Sequence, residues 1–99
     1  GAGLSYRVEV ATTRQILTND ALSMFDDMMI ESQPGSGSYR YTAGWFAQHD
    51  KAVQLRKDLV QQGFAEATVV AFLNGLRISK AEAVGLLKKF PDLTAYIRG

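Results

Sequence analysis

Apolar and polar positions along the chain change their period several times, and each change marks an element. Tyr6, Val8 and Val10 alternate with Arg7 and Glu9 up to Ala11, the period of two that a half-buried strand demands. The alternation fades after Thr12 and Thr13, and Thr18-Asn19-Asp20 suits the cap of a short helical turn through Ala21, Leu22 and Phe25. Met28 to Ser32 reads as a second, short strand, and Gln33 to Ser38, dense in turn formers, as the exposed hairpin loop after it. Tyr39, Tyr41 and Ala43 then share one face of a third strand and Arg40 and Thr42 the other, up to Gly44. From Gln48 to Gln62 the period lengthens. Ala52, Leu55, Leu59 and Val60 recur at helical spacing, and Gly63 followed by Phe64 suits a left-handed stop with its hydrophobic contact. Ala67 to Leu73 is almost wholly apolar, and Asn74-Gly75 before Leu76-Arg77-Ile78 predicts a two-residue hairpin, because both turn positions require positive φ. Ser79-Lys80-Ala81-Glu82 is a capping box that predicts a helix through Lys89, with Lys88 and Lys89 at its electronegative end. Pro91 blocks simple continuation, and a last short helix is expected from Pro91 to Ile97.

This order is a βαββαβ string with a small hairpin and a terminal helix. The expected fold class is α+β: a ferredoxin-like antiparallel sheet with helices on one face, plus a C-terminal helical extension. The 99 residues hold one such domain and no second core. Lys and Arg number 11 against 10 Asp and Glu, so no long-range field draws in nucleic acid or an anionic surface, and recognition is expected to be local and shape-dependent. Apolar runs stay short of the ~18 residues that crossing a bilayer takes, so no membrane insertion is expected of this segment. Gly1-Ala2-Gly3-Leu4 lacks the regions of a signal peptide and reads as an expression remnant or the edge of an excised domain.

The absence of cysteine excludes disulfides, thiolate metal sites and a cysteine nucleophile, and the single histidine, His49, excludes a multi-histidine zinc site. Neither metal nor cofactor is expected. Asp26 and Asp27 are adjacent, which points them apart on a strand or a helix and makes them a poor acid and base pair. Glu31 has no obvious carboxylate partner. His49 beside Asp50 has the makings of an oriented base, but no nucleophile motif accompanies it, and a solvated helix-start residue is the reading expected. Gly35 and Gly37 lack the Lys-Ser/Thr pair of a phosphate loop. Enzymatic activity is therefore not expected. Tyr6, Tyr39 and Tyr41 lie on central strands, where RNA-binding sheets of this shape carry base-stacking aromatics. They share parity with Val8, Val10 and Ala43, however, which assigns them to the core. The opposite face carries Arg7, Glu9, Arg40 and Thr42, a polar surface of mixed sign that suits hydrogen bonding to an uncharged polymer such as a sugar chain, or plain solvation.

The segments Tyr6-Arg7-Val8-Glu9-Val10-Ala11, Tyr39 to Phe46, Ala52 to Phe64 and Ala67 to Ile78, in this order and spacing, resemble the SPOR (sporulation-related repeat) domain. The likeness is to bacteroidete envelope variants and covers residues 4–78. It implies a noncatalytic domain of the periplasm or cell envelope that binds peptidoglycan glycan strands, particularly those stripped of stem peptides, with the same βαββαβ sheet. Carried over by position, it implies a glycan-binding face of Arg7, Glu9, Thr12, Arg40 and Thr42. Glu9 stands where family members often have glutamine. An ionised carboxylate accepts hydrogen bonds but donates none, so Glu9 is expected to pair with Arg40 or Arg7, or the domain to have become a protein-interaction or spacer module. Trp45 either offers its ring to a sugar or anchors beside Phe46. Residues 79–99 lie outside the resemblance, and Val84, Leu87, Phe90 and Tyr96 require cover from this domain or a neighbour.

Overall fold

A computed structural model of the chain describes residues 3–13, 27–33 and 35–99, with backbone alone at 11–13. The helical turn expected between Thr18 and Phe25 lies outside the described residues, as does Asp26. Strands β1 (Leu4–Thr13), β2 (Met29–Gln33), β3 (Ser38–Phe46), β4 (Thr68–Leu73) and β5 (Leu76–Ile78) form one sheet in the order β2-β3-β1-β4-β5. All neighbours are antiparallel. This is the strand order of the expected ferredoxin-like sheet with β5 added at one edge. Helices α1 (His49–Gln61), α2 (Lys80–Gly85) and α3 (Leu93–Arg98) complete an α+β domain.

Parity decides the core. Tyr6, Val8 and Val10 of β1 join Ala43, Ala71 and Ile78, and meet Ala52 and Leu59 of α1 with Ala83, Leu93 and Tyr96 of the extension. Alanines at the contacts let helices and sheet approach closely, while fully buried Leu59 and Leu93 contribute about 1.5–3 kcal/mol each. Helix α1 stops as its sequence dictates. Gly63 takes φ +106, its amide donates to Val60 O and that of Phe64 to Leu59 O, a left-handed stop with Phe64 packed on the core.

The capping box of α2 is present, with Glu82 N donating to Ser79 Oγ and Ser79 N to Glu82 Oε1, both at 3.0 Å. The helix ends at Gly85, however, and not at Lys89 as expected. Glycine is a poor helix former, and past it the chain tightens into turns, Leu87 N to Val84 O and Lys89 N to Leu86 O. These turns bring Leu86, Leu87 and Phe90 against the core and leave Lys88 and Lys89 exposed, past the end of α2 and outside its last turn. Tyr96 Oη donates to Ile78 O at 3.3 Å, which ties the extension to the helical side of the sheet.

Two irregularities bend the sheet. Between the Tyr6 and Val8 pairings β3 carries one extra residue, at Gly44-Trp45, and between those of Glu9 and Ala11 β1 carries one, at Val10. Such bulges increase twist and bend a strand. Gly44 sits at φ +74, and a Cβ there would lie 2.6 Å from Phe46 Cε2 and 2.9 Å from Leu55 Cδ2, so the bulge also needs the absence of a side chain. The sheet curls until β2 and β5, its opposite edges, touch across the face away from the helices: Arg77 Nη2 is 2.8 Å from Glu31 Oε1. In a flat sheet four strand spacings, about 19 Å, would separate these edges.

Candidate functional site

The curl turns the face opposite the helices into a trough. Its floor is made by residues of β1, β3 and β4 whose parity excludes them from the core, namely Ser5, Arg7, Thr42 and Phe72, all buried. Arg7 Nε donates to Thr42 Oγ1 at 2.9 Å and its Nη2 to Thr42 O at 3.2 Å and to Asp27 O. Burial pulls the Arg7 pKa below that of a free guanidinium, against the raising effect of Asp27 and Glu31. It stays charged all the same. Arg7 thus holds the floor together and fixes the entry of β2, leaving less of it for a ligand than a solvated sheet face would.

At one end the trough opens into a pocket of about 430 Å³ lined by Ser5, Arg7, Met29, Trp45, Phe72 and Asn74. Trp45 stands at its mouth, 60% exposed. The bulge at Gly44 puts it there: Ala43 faces the helices, Phe46 packs on the core, and the extra residue turns the indole between them to the opposite side.

At the other end charges close the trough. Arg77 Nη2 reaches Glu31 at 2.8 Å and Glu9 at 3.3 Å, and Arg40 Nε lies 3.7 Å from Glu9. The Arg77 guanidinium also stands 5.4 Å above the Phe72 ring, a cation–π contact. Glu9 Oε1 and Arg77 Nε are buried without a well-directed hydrogen bond, so Glu9 is held by charge attraction more than by geometry. With its amide oxygen turned toward Arg40, Gln33 accepts from that guanidinium and donates to Ser38 Oγ at 2.7 Å.

Arg7, Glu9, Arg40 and Thr42 therefore share the face assigned to them. Arg7 and Thr42 lie within its floor, whereas Glu9 and Arg40 keep partial exposure. Thr12 pairs through its backbone with Arg40, and its side chain is outside the described set. Of the two partners expected for Glu9, Arg40 is present, while Arg7 is engaged with Thr42. Arg77, Phe72 and Met29 were not foreseen. The Asn74-Gly75 hairpin held the signal for Arg77, since a two-residue turn pairs it with Phe72. Tyr6 and Tyr41 are fully buried, as their parity requires. His49 departs from a solvated helix start. Its ring meets Tyr6 edge-on at 5.2 Å, and burial is the main cause that lowers its pKa, with Asp50 opposing and Lys80 assisting.

A larger depression, about 920 Å³, lies elsewhere, between the start of α1 and α3, and mixes His49, Asp50, Asp92 and Arg98. It offers no exposed aromatic ring, and the trough remains the better candidate. Among the described residues no cluster of three metal-ligating side chains occurs, and no helix is long and apolar enough to cross a membrane. No family model, curated protein or solved structure matches the chain.

Proposed function

We propose that this chain is a noncatalytic glycan-binding module of the bacterial cell envelope, taking peptidoglycan strands, preferentially peptide-stripped ones, along its trough. Trp45 carries the proposal: a 60% exposed indole at the mouth of a pocket on a bent, rigidly bonded sheet. A pyranose ring has apolar C–H faces and a polar rim. An indole face accepts the former, and hydroxyl, amide and guanidinium groups the latter. From Arg40 past Thr42 to Trp45 the trough extends along β3 for about 15 Å, which suits a chain ligand. The ordered likeness of the sequence to SPOR domains supports the same ligand and the envelope location.

The experiment is a pull-down with purified sacculi before and after amidase treatment. Amidase treatment is expected to raise binding, and Trp45→Ala and Arg40→Ala to lower it. No gain after amidase, with both variants binding like wild type, defeats the proposal.

One observation favours a second reading, a protein-interaction module of an envelope protein. The trough's arginines are already partnered by Thr42, Glu9 and Glu31, and its pocket is largely apolar, as suits a protruding aliphatic side chain. A photoreactive phenylalanine analogue at position 45 separates the two, because mass spectrometry of the adduct distinguishes amino sugar from peptide.

A further inference from the structure

A second cavity, on the helical side of the sheet, is chemically unlike the trough. It measures about 360 Å³ and is walled by His49, Val53 and Arg56 of α1, Thr68 of β4, Lys80 of α2 and Tyr96 of α3. His49, Val53 and Arg56 follow at i, i+4 and i+7, so one face of α1 presents all three. The wall contains no aspartate or glutamate side chain. Among the described residues neither Arg56 nor Lys80 forms an ion pair. Arg56 spends its Nε on Ala67 O at 2.9 Å, and a guanidinium has four further N–H donors. Lys80 Nζ stands 5.6 Å above the Tyr96 ring, which orients the ammonium without neutralising it. Val53, Val69 and the Tyr96 ring supply an apolar side.

Two exposed cations of different geometry, neither in an ion pair among the described residues, stand beside an apolar wall and suit a carboxylate on a short aliphatic stem. The guanidinium takes the carboxylate as a fork and the ammonium as a point charge, while the stem lies on the valines. We propose that this cavity binds such a carboxylate, as an acidic peptide end presents it, at a site separate from the trough and independent of the glycan reading. His49 then reports occupancy. Tyr6 meets its imidazole, Asp50 and Lys80 act on it, Tyr96 and Arg56 line this cavity with it, and Asp92 and Arg98 line the neighbouring depression; an added anion would move its titration upward.

The test is an NMR titration of the full chain with N-acetyl-leucine, with its uncharged methyl amide, and with inorganic phosphate. The carboxylate is expected to shift the resonances of His49, Arg56 and Lys80, and to bind about tenfold or more tighter than the amide, the equivalent of one charge-assisted hydrogen bond. Arg56→Gln and Lys80→Gln should each weaken binding about tenfold. Arg56 also supports the Ala67 loop, so Lys80→Gln, at an exposed position, is the decisive variant if Arg56→Gln unfolds. Gly99 borders the cavity, and a chain amidated there should bind equally or more tightly. Equal affinity for carboxylate and amide, phosphate binding as tight as the carboxylate, unchanged affinity in Lys80→Gln, or loss of binding on amidation would each overturn the proposal.

Discussion

Replacing Arg77 by methionine tests whether charge across the trough holds the curl. Methionine keeps the aliphatic stem on Phe72 and removes the guanidinium alone. The change deletes the 2.8 Å charged contact to Glu31, worth about 1.5–3 kcal/mol when shielded and about 0–1 when exposed. The two side chains are 21% and 30% exposed, so an intermediate value of about 1–2 kcal/mol applies. Loss of the contact to the Phe72 ring adds about 0.5–1 kcal/mol. Glu9 and Glu31 are then left facing one another, with Arg40 at 3.7 Å as the nearest cation. The expected total is about 2–3 kcal/mol, which in a domain of this size lowers Tm by about 8–24 °C. Urea denaturation of Arg77→Met, Glu31→Gln and the double variant should return a coupling energy of about 1–2 kcal/mol. In the single variant, nuclear Overhauser contacts between β2 and β5 side chains should weaken while those within β1, β3 and β4 persist. A loss below about 0.5 kcal/mol, or a coupling of zero, would show that the bulges alone set the curl.

Three further outcomes follow from other parts of the structure. Gly44→Ala puts a Cβ 2.6 Å from the Phe46 ring at φ +74 and should cost about 2–4 kcal/mol of strain and overpacking, read as a Tm loss; a neutral result removes the bulge from the account. Tyr6 Oη is buried without a hydrogen-bond partner among the described residues, so Tyr6→Phe should leave stability unchanged or raise it by up to about 1 kcal/mol, and a clear loss in urea denaturation would reveal a partner. His49, held below its ordinary value of 6.5 chiefly by burial, refuses a proton that the unfolded chain accepts; the stability it contributes is present above 6.5 and lost as pH falls through its lowered folded pKa. Wild type should therefore lose more stability than His49→Gln on acidification through that window, and an imidazole titrating at or above 6.5 in the folded chain contradicts this.

Elements and faces were legible in the sequence wherever local chemistry decides them. The alternation in β1 and β3, the Gly63-Phe64 stop, the Asn74-Gly75 turn and the Ser79-Glu82 box each depend on a few neighbouring residues, and each is present. What failed was decided by residues distant in sequence. Strict parity from Tyr41 and Ala43 would send Trp45 to the core; the bulge at Gly44 reverses this, and a bulge exists only relative to the partner strand. Arg77 and Glu31 meet across 46 positions because two bulges add their bends, which no window of sequence contains. Helix α2 ends early because Leu86, Leu87 and Phe90 gain more by packing than Lys88 and Lys89 gain from the helix dipole, worth about 0.3–1 kcal/mol each.

A formal charge of +1 conceals two opposite arrangements. In the trough Arg7, Arg40 and Arg77 sit among Glu9, Glu31 and Asp27, so its field nearly cancels and a ligand there is held by shape, stacking and hydrogen bonds. On the helical side exposed Arg56 and Lys80 border a cavity with no carboxylate side chain in its wall, although Asp50 acts on His49 from outside it, and the anion proposed there would be held largely by charge. Salt acts on the second kind of attraction and hardly on the first, since screening requires a net charge to screen. Rising ionic strength should therefore spare a ligand bound at Trp45 and release one bound at Lys80. The acidic residues of this chain thus do more than balance its net charge. On the proposed readings, Glu9 and Glu31 suit the trough to a neutral polymer, and the absence of a carboxylate side chain from its wall suits the helical cavity to an anion.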